Sequence, residues 1–301
     1  MKIYAVCLVK NEDDVIGQTL TYATRYCDRI FVIDNGSTDG TWKIVKDLAV
    51  REPKIVPFLQ TLEPFEDGLR WLAYEAHHQE LSDSDWWLFL DADEFLAEDP
   101  KPVIQQAMRE GADIIKAWQI QFYYTAEDHD AWMAGRDSRE VPILERRRYY
   151  RIDWQEPRLF RNQVSATWET APLSRMLGMP PRFRTEASRR GWKTWVPAST
   201  AKMARRRILN RHYQYRDPPQ IEKRLEARYG RPAFAAQVDS LDWRKKMRRS
   251  EGLNYYTEGQ PYRFSVGGLA YYYWGWVRYI FLSRSHRIGR RLAAMIRPRN
   301  A

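Results

Sequence analysis

An α/β fold with a mostly parallel central sheet flanked by helices is what this 301-residue chain predicts, on three observations. Apolar runs of strand length alternate with helix-period segments through the first hundred residues. Three of those runs stop in polar clusters. One of them, Trp86-Trp87-Leu88-Phe89-Leu90, stops in two carboxylates, Asp91 and Asp93. Alternation of this kind places helices on the faces of a parallel sheet. Parallel strands bring their ends to one edge, where α/β proteins bind ligands.

The first run, residues 3–9, is followed by Lys10-Asn11-Glu12-Asp13-Asp14, a polar loop with capping residues. Val15, Ile16, Leu20, Ala23 and Tyr26 then repeat at helical spacing. The second run, Ile30-Phe31-Val32-Ile33, ends in Asp34-Asn35-Gly36-Ser37-Thr38-Asp39-Gly40-Thr41, a turn-forming stretch that can cap a helix beginning near Trp42. Lys54 to Phe58 supplies a weaker third run, residues 66–81 read as helix, and the strand at 86–90 follows. Residues 113–118 and 119–123 read as a strand pair. Residues 125–205 are aromatic, basic and poorly periodic.

Two hard oxygen donors at one point suit Mg2+ or Mn2+, and such an ion would carry a diphosphate. Strand side chains alternate, so Asp91 and Asp93 point at one place if the extended conformation persists through them. The pattern alone is cheap, because the chain holds three copies of D-x-D, at Asp83/Asp85, Asp91/Asp93 and Asp128/Asp130. Only the middle copy is delivered by an apolar run. No glycine-rich phosphate loop follows the first strand, so a cation between carboxylates and phosphate is expected in place of a glycine cradle.

Composition narrows the class further. Forty-four per cent apolar residues indicate a globular chain, and the two cysteines, Cys7 and Cys27, both lie in apolar-patterned segments, which favours a reducing compartment over a disulfide framework. Nothing in the opening residues reads as a secretory leader. The net charge of +10 is concentrated at the end: residues 244–301 hold thirteen Lys or Arg against Glu251 and Glu258. A positive tail on a near-neutral body predicts a separate docking surface.

Val9-Lys10-Asn11-Glu12, the segment Asp34 to Thr41, and Leu90-Asp91-Ala92-Asp93-Glu94 stand in an order and spacing that resembles the family 2 glycosyltransferases of the GT-A, Rossmann-like fold. The likeness covers about residues 1–120, with a looser stretch near 205–225. It implies a nucleotide-diphosphate-sugar donor, with UDP preferred, a divalent ion (Mn2+ or Mg2+), and inversion at the anomeric carbon. It places Val9, Asn11 and Glu12 along base and ribose, Asp34 on the base, Asp91 at the ribose and Asp93 on the metal. Arg70 matches a basic position toward donor base or phosphate, while Glu94 and Asp39 are expected to fix loops. His212, in Asn210-Arg211-His212-Tyr213-Gln214-Tyr215, resembles a late histidine that returns to the metal.

Inverting transfer needs a carboxylate to take the acceptor hydroxyl's proton. Asp153, Glu156 and Glu169 are the candidates, and the resemblance prefers Glu169 to Glu156, because members of the family often place an acidic group at that spacing after Leu159-Phe160-Arg161. Arg205, Arg206, Arg207 and Arg211 are candidates to neutralise the leaving diphosphate, and the sequence does not separate them. Pro218 opens a helix with Ile221, Leu225 and Tyr229 on one face, stopped by Gly230.

Residues 266–282 are apolar and rich in Tyr and Trp but too short to span a bilayer, and six arginines follow from Arg284 to Arg299. This combination predicts a helix lying on an anionic leaflet. A core helix with solvated arginines is the alternative, and nucleic acid is not expected, for want of a binding motif.

The expected organisation is a catalytic domain at 1–235, divided into nucleotide-sugar binding (1–124) and acceptor side (125–235), and a basic helical extension at 236–301. The expected activity is metal-dependent transfer of a sugar to a glycan or lipid-linked acceptor, in the cytoplasm on the inner face of the membrane. A sugar nucleotidyltransferase and a non-catalytic membrane-surface protein are the rivals.

Overall fold

The computed structural model describes residues 1–63, 65, 67–162, 202–229 and 238–264. Strand β1 (Ile3–Val9) leads through α1 (Ile16–Ala23) to β2 (Arg29–Asp34), α2 (Thr41–Arg51) and β3 (Ile55–Gln60). A 3-10 turn (Asp67–Arg70) opens α3 (Trp71–His77), and β4 (Trp86–Asp91) is followed at once by β5 (Glu94–Leu96). Then come α4 (Pro100–Arg109), β6 (Ile114–Phe122), α5 (Ala126–Met133), α6 (Ile143–Arg146), β7 (Tyr149–Arg161), β8 (Ile208–His212), α7 (Pro218–Arg228) and β9 (Asn254–Tyr255).

The strands form one sheet in the order β3-β2-β1-β4-β7-β6-β8-β5, with β9 on β7. The first four are parallel. β7 then enters antiparallel between β4 and β6, and β8 runs parallel to β6. Every residue of β1 is buried, as expected of a strand covered on both faces. Its alternation divides the core. Ile3, Ala5, Cys7 and Val9 pack with Ile16 and Leu20 of α1, Val45 of α2 and Ile104 of α4, while Tyr4, Val6 and Leu8 pack with Leu69, Ala73 and Tyr74 on the α3 side. Pro57 is tolerated in β3 because β3 is an edge strand. Both cysteines are buried and unbonded, and burial raises their thiol pKa values.

Two elements differ from the periodicity. Residues 114–122 make one nine-residue strand, where a pair was expected. Gln119, which interrupts the apolar pattern, is fully buried and bonds Glu94 and Asn210. The segment expected to be poorly periodic holds β7, thirteen residues long. Its register with β6 shifts twice: Ile115 faces Leu159 while Lys116 faces Pro157, and Gln119 faces Trp154 while Ile120 faces Ile152. Arg158 and residue 153 are therefore extra residues in two bulges, and each bulge breaks the period of two that would reveal a strand.

Among the described residues no helix is long and apolar enough to cross a membrane. Residues 266–282 and the arginines that follow lie outside the described residues, as does Gly230.

Candidate active site

The register of the parallel strands assembles the site. On one side of β1, Val9 stands opposite Asp34; on the other, Leu8 stands opposite Asp91. The expected strand ends thus lie on adjacent strands at one edge. Beyond Val9 the chain turns at Asn11, which has φ 56°, a conformation asparagine tolerates better than most residues. Asn11 N donates to Ser37 Oγ at 2.9 Å, Thr38 N donates to Asn11 Oδ1 at 2.8 Å, and Glu12 N donates to Thr41 Oγ1 at 2.8 Å. These bonds tie the β1 loop to the β2 loop.

Asp34 is fully buried. Its Oδ1 accepts from Gly36 N at 3.0 Å, Ser37 N at 2.9 Å and Gln60 Nε2 at 3.3 Å. Its Oδ2 is buried with no hydrogen-bond partner among the described residues. An unsatisfied buried acceptor is costly, and a ligand N–H would satisfy it. Gly36 has φ +74°, a left-handed conformation that strains a residue with a Cβ, so the turn that shapes this acceptor favours glycine.

The three D-x-D copies have different uses. Asp85 is buried and accepts from Lys2 N at 2.6 Å and Ser82 N at 2.9 Å, fastening the start of β4 to the start of β1. Asp128 closes a capping box with Thr125 on α5. Asp91 and Asp93 are the pair at the strand ends. The extended conformation does not persist through them: β4 ends at Asp91, and Ala92-Asp93 form a turn before β5. The carboxylates therefore sit among different cations.

Asp91 bonds Arg70 Nη2 through Oδ1 and Arg158 Nη2, at 2.8 Å, through Oδ2. Arg70, at the head of α3, is buried, and its guanidinium lies over the Phe89 ring. Arg158, re-aimed by its bulge, also bonds Glu94 and lies 2.7 Å from Glu156 Oε2. Three carboxylates thus share one guanidinium. Burial opposes charge on Asp91, but Arg158 and Arg70 outweigh it and hold its pKa below the ordinary range. Glu94, more deeply enclosed, is pushed up to about 7 by burial despite Arg158.

Asp93 is buried beside His212, whose Nε2 is 3.5 Å from its Oδ2. The same oxygen lies 3.2 Å from Arg224 Nη1 and 3.8 Å from Arg216 Nη1. Burial works against the charge of Asp93, yet His212, Arg224 and Arg216 together hold its pKa well below the usual carboxylate range. Burial lowers the His212 pKa and Asp93 more than restores it, so the net shift is upward. Arg216 is fully buried: Nε meets Asp14 Oδ2 at 2.6 Å, Nη1 donates to Tyr213 O at 3.0 Å, and Nη2 bonds Glu12 and Asp14 Oδ1. Asp39 accepts from Thr41 N at 3.0 Å and Lys223 Nζ at 2.5 Å, a loop-fixing position.

The structure therefore brings Val9, Asn11, Glu12, Asp34, Arg70, Asp91, Asp93 and His212 to one edge of the sheet. Glu156 borders them through Arg158, half-buried on β7. Glu169 lies outside the described residues. Of the four arginines considered for the leaving group, three have guanidinium groups engaged elsewhere, and Arg205 is tied to Glu110 through its backbone N. Arg206 bonds Glu98 at 2.6 Å, Arg207 bonds Gln155 at 3.0 Å and Arg211 bonds the Tyr262 hydroxyl at 2.6 Å. Arg158, Arg216 and Arg224 are the site cations the sequence reading missed. Of these only Arg224 carried a signal, an i,i+4 spacing with Arg228 on a recognisable helix.

Asp93 and His212 are an oxygen and an imidazole donor close enough to serve one Mn2+ or Mg2+, and this chemistry fits such an ion. The described residues hold no cluster of three or more His, Cys, Asp or Glu side chains suited to a metal. The remaining positions would fall to a diphosphate and water.

A parallel sheet whose strand ends and following loops gather carboxylates at one edge defines an α/β protein with its ligand-binding edge there. Residues 5–213 match Glycosyl transferase family 2, and the chain belongs to that family. No curated protein matches it. Among solved structures it is similar to residues 1–349 of S. aureus TarS, at 13% identity and TM-score 0.35, covering 75% of this chain and 64% of that one. A longer S. aureus TarS structure gives 13% identity and TM-score 0.35, covering 80% of this chain and 40% of that one. The mannosyltransferase PcManGT from Pyrobaculum calidifontis, in complex with GDP-Man and Mn2+, gives 14% and 0.35, covering 75% and 61%. The chain thus spans less than two thirds of the length of each of these structures.

Proposed function

We propose that this protein transfers a sugar from a nucleoside-diphosphate sugar, with UDP the first candidate, to a hydroxyl of a glycan or lipid-linked acceptor with inversion. The observation that carries this reading is the meeting of His212 and Asp93 at 3.5 Å beside the strand ends that hold Asp34 and Asp91. In it, Asp34 Oδ2 accepts from the base, Val9, Asn11 and Glu12 line base and ribose, and Asp91, oriented by Arg70 and Arg158, takes the ribose hydroxyls. Asp93 and His212 hold the divalent ion, which when bound supplies positive charge to the diphosphate.

The acceptor oxygen attacks the anomeric carbon as the bond to the diphosphate oxygen breaks, and a carboxylate takes the acceptor proton. Glu156 is the described candidate for that base, with Glu169 the other. The pairing of Glu156 with Arg158 supports a role beside the donor. The basic extension, 236–301, is proposed to dock the enzyme on the inner face of an anionic membrane, where salt-sensitive sedimentation with anionic vesicles tests it.

Thermal unfolding with a panel of nucleotide sugars, with and without Mn2+, tests the donor reading, because a ligand that binds only the native state raises its stability by RT ln(1 + [L]/Kd). A metal-enhanced shift for one nucleotide class, together with loss of transfer in Asp93→Ala, is expected. No shift with any nucleotide sugar would overturn the proposal.

A further inference from the structure

Helix α7 faces the strand ends with basic side chains, and they are not equivalent. Lys223 is held by Asp39 and Arg216, just before the helix, by Asp14, Glu12 and a backbone carbonyl. Arg216 uses all three of its nitrogens within the protein, so it serves as a fixed strut. Arg224 is different. A single nitrogen, Nη1, is divided between Glu12 Oε1 and Asp93 Oδ2, each at 3.2 Å, and Nε is buried without a hydrogen-bond partner among the described residues. A guanidinium is shaped to grip an oxyanion with two parallel N–H groups, and this one spends one nitrogen on two acids at long range.

Its surroundings favour an incoming anion. Arg228, one helical turn on, has its pKa pushed down to about 10 by burial and by the charge of Arg224. Two like charges enclosed together are costly, and an anion between them and the sheet edge relieves that cost. A divalent ion on Asp93 Oδ2 would compete with Arg224 for that oxygen, and a diphosphate arriving with the ion offers Arg224 a better partner. No glycine-rich phosphate loop follows β1, and the side chains of Arg206, Arg207 and Arg211 are engaged elsewhere.

We propose that Arg224 is the residue that binds the donor's diphosphate, leaving Glu12 and Asp93 for it when the nucleotide enters. The inference rests on the donor reading above. In the transfer, the acceptor oxygen forms its bond to the anomeric carbon, and the bond from that carbon to the diphosphate oxygen breaks with its electron pair going to the diphosphate. The acceptor proton goes to the base carboxylate. Arg224 then neutralises the charge that appears on the leaving group, as a cation held in a buried site does most effectively.

Binding of UDP and uridine, and of GDP and guanosine, followed by ligand-observed NMR titration in EDTA and again in Mn2+, separates this from a structural role. The wild-type protein is expected to prefer a diphosphate to its nucleoside. Arg224→Ala is expected to weaken the diphosphate tenfold or more while nucleoside affinity stays within about twofold, and Arg224→Lys to recover part of the loss. Arg224→Gln, which keeps the helix and hydrogen bonding, replaces the alanine variant if thermal unfolding shows the latter misfolded. A diphosphate preference unchanged in Arg224→Ala or Arg224→Gln would overturn the inference and leave the donor reading standing. Failure of the wild-type protein to bind any of the four ligands would overturn both.

Discussion

Tyr213 N donates to Asp93 O at 2.9 Å, and this backbone bond sets the neighbouring His212 beside the Asp93 carboxylate. It continues the antiparallel register in which Glu94 pairs with His212 across β5 and β8. The histidine is therefore placed by main-chain pairing and needs no flexible loop to find its partner.

If Asp93 and His212 hold a metal, His212→Ala lowers Mn2+ affinity by about 10- to 100-fold, a loss seen even for residues that only support metal ligands. The metal concentration needed for half-maximal transfer and direct Mn2+ titration check this. An unchanged Mn2+ dependence would make the contact a structural ion pair.

Asp34→Ala removes the acceptor of two backbone N–H groups and the open Oδ2. A hydrogen bond to a charged group contributes about 1.5–3 kcal/mol, so nucleotide affinity should fall by about 10- to 100-fold. The same variant should unfold at lower temperature, because the Gly36 and Ser37 amides lose their partner. Calorimetric titration with UDP and GDP, alongside thermal melts, measures both effects.

Arg158→Met leaves Asp91, Glu94 and Glu156 without their shared cation. Removing one side of a buried ion pair costs about 3–5 kcal/mol, and denaturant unfolding at pH 8 should show a loss of that order. The loss should shrink toward pH 6, because in the wild-type protein Glu94, with a pKa pushed up to about 7, already takes its proton there and no longer depends on Arg158, whereas without Arg158 its pKa rises further. A loss equal at both pH values would refute the shared-cation account.

Asp217 caps α7, accepting from Gln220 N at 3.1 Å, and is gripped by Arg139 at 2.6 and 2.9 Å and by Arg146 at 3.3 Å. Burial opposes its charge, but Arg139, the cap bond and Arg146 win, so its folded pKa is depressed. The stability this confers is present above the unfolded aspartate value of about 3.9 and is lost as pH falls through the depressed folded value. Asp217→Asn should destabilise the protein at pH 7 and flatten the acid limb of its stability curve. Urea unfolding between pH 3 and 7 measures this, and parallel curves for the two proteins would contradict it.

The nucleotide half of the site was legible because it is local. Val9, Asp34 and Asp91 end apolar runs, and parallel strands must present their ends together. Gly36, in the turn-forming stretch after the second run, is likewise a signal written in neighbouring residues. The α7 helix announced itself through Pro218 and the Ile221, Leu225 spacing, although Tyr229, expected on the same face, ends the helix half-exposed. β7 was hidden because its two bulges interrupt alternation, and the bulge that hid it is what turns Arg158 toward Asp91.

The sequence by itself determined the α/β class, the order of the strands that carry the carboxylates, and the identity of those carboxylates, since periodicity and turn chemistry act over a few residues. Only the tertiary structure decided which cations meet them. Arg70 and His212 were marked by the family resemblance, but Arg158 and Arg216 come from β7 and the segment before α7, and no local pattern distinguishes them from the chain's many other basic residues. Long-range strand pairing and the burial of opposite charges together select these few, because an enclosed carboxylate is stable only where a cation is enclosed with it.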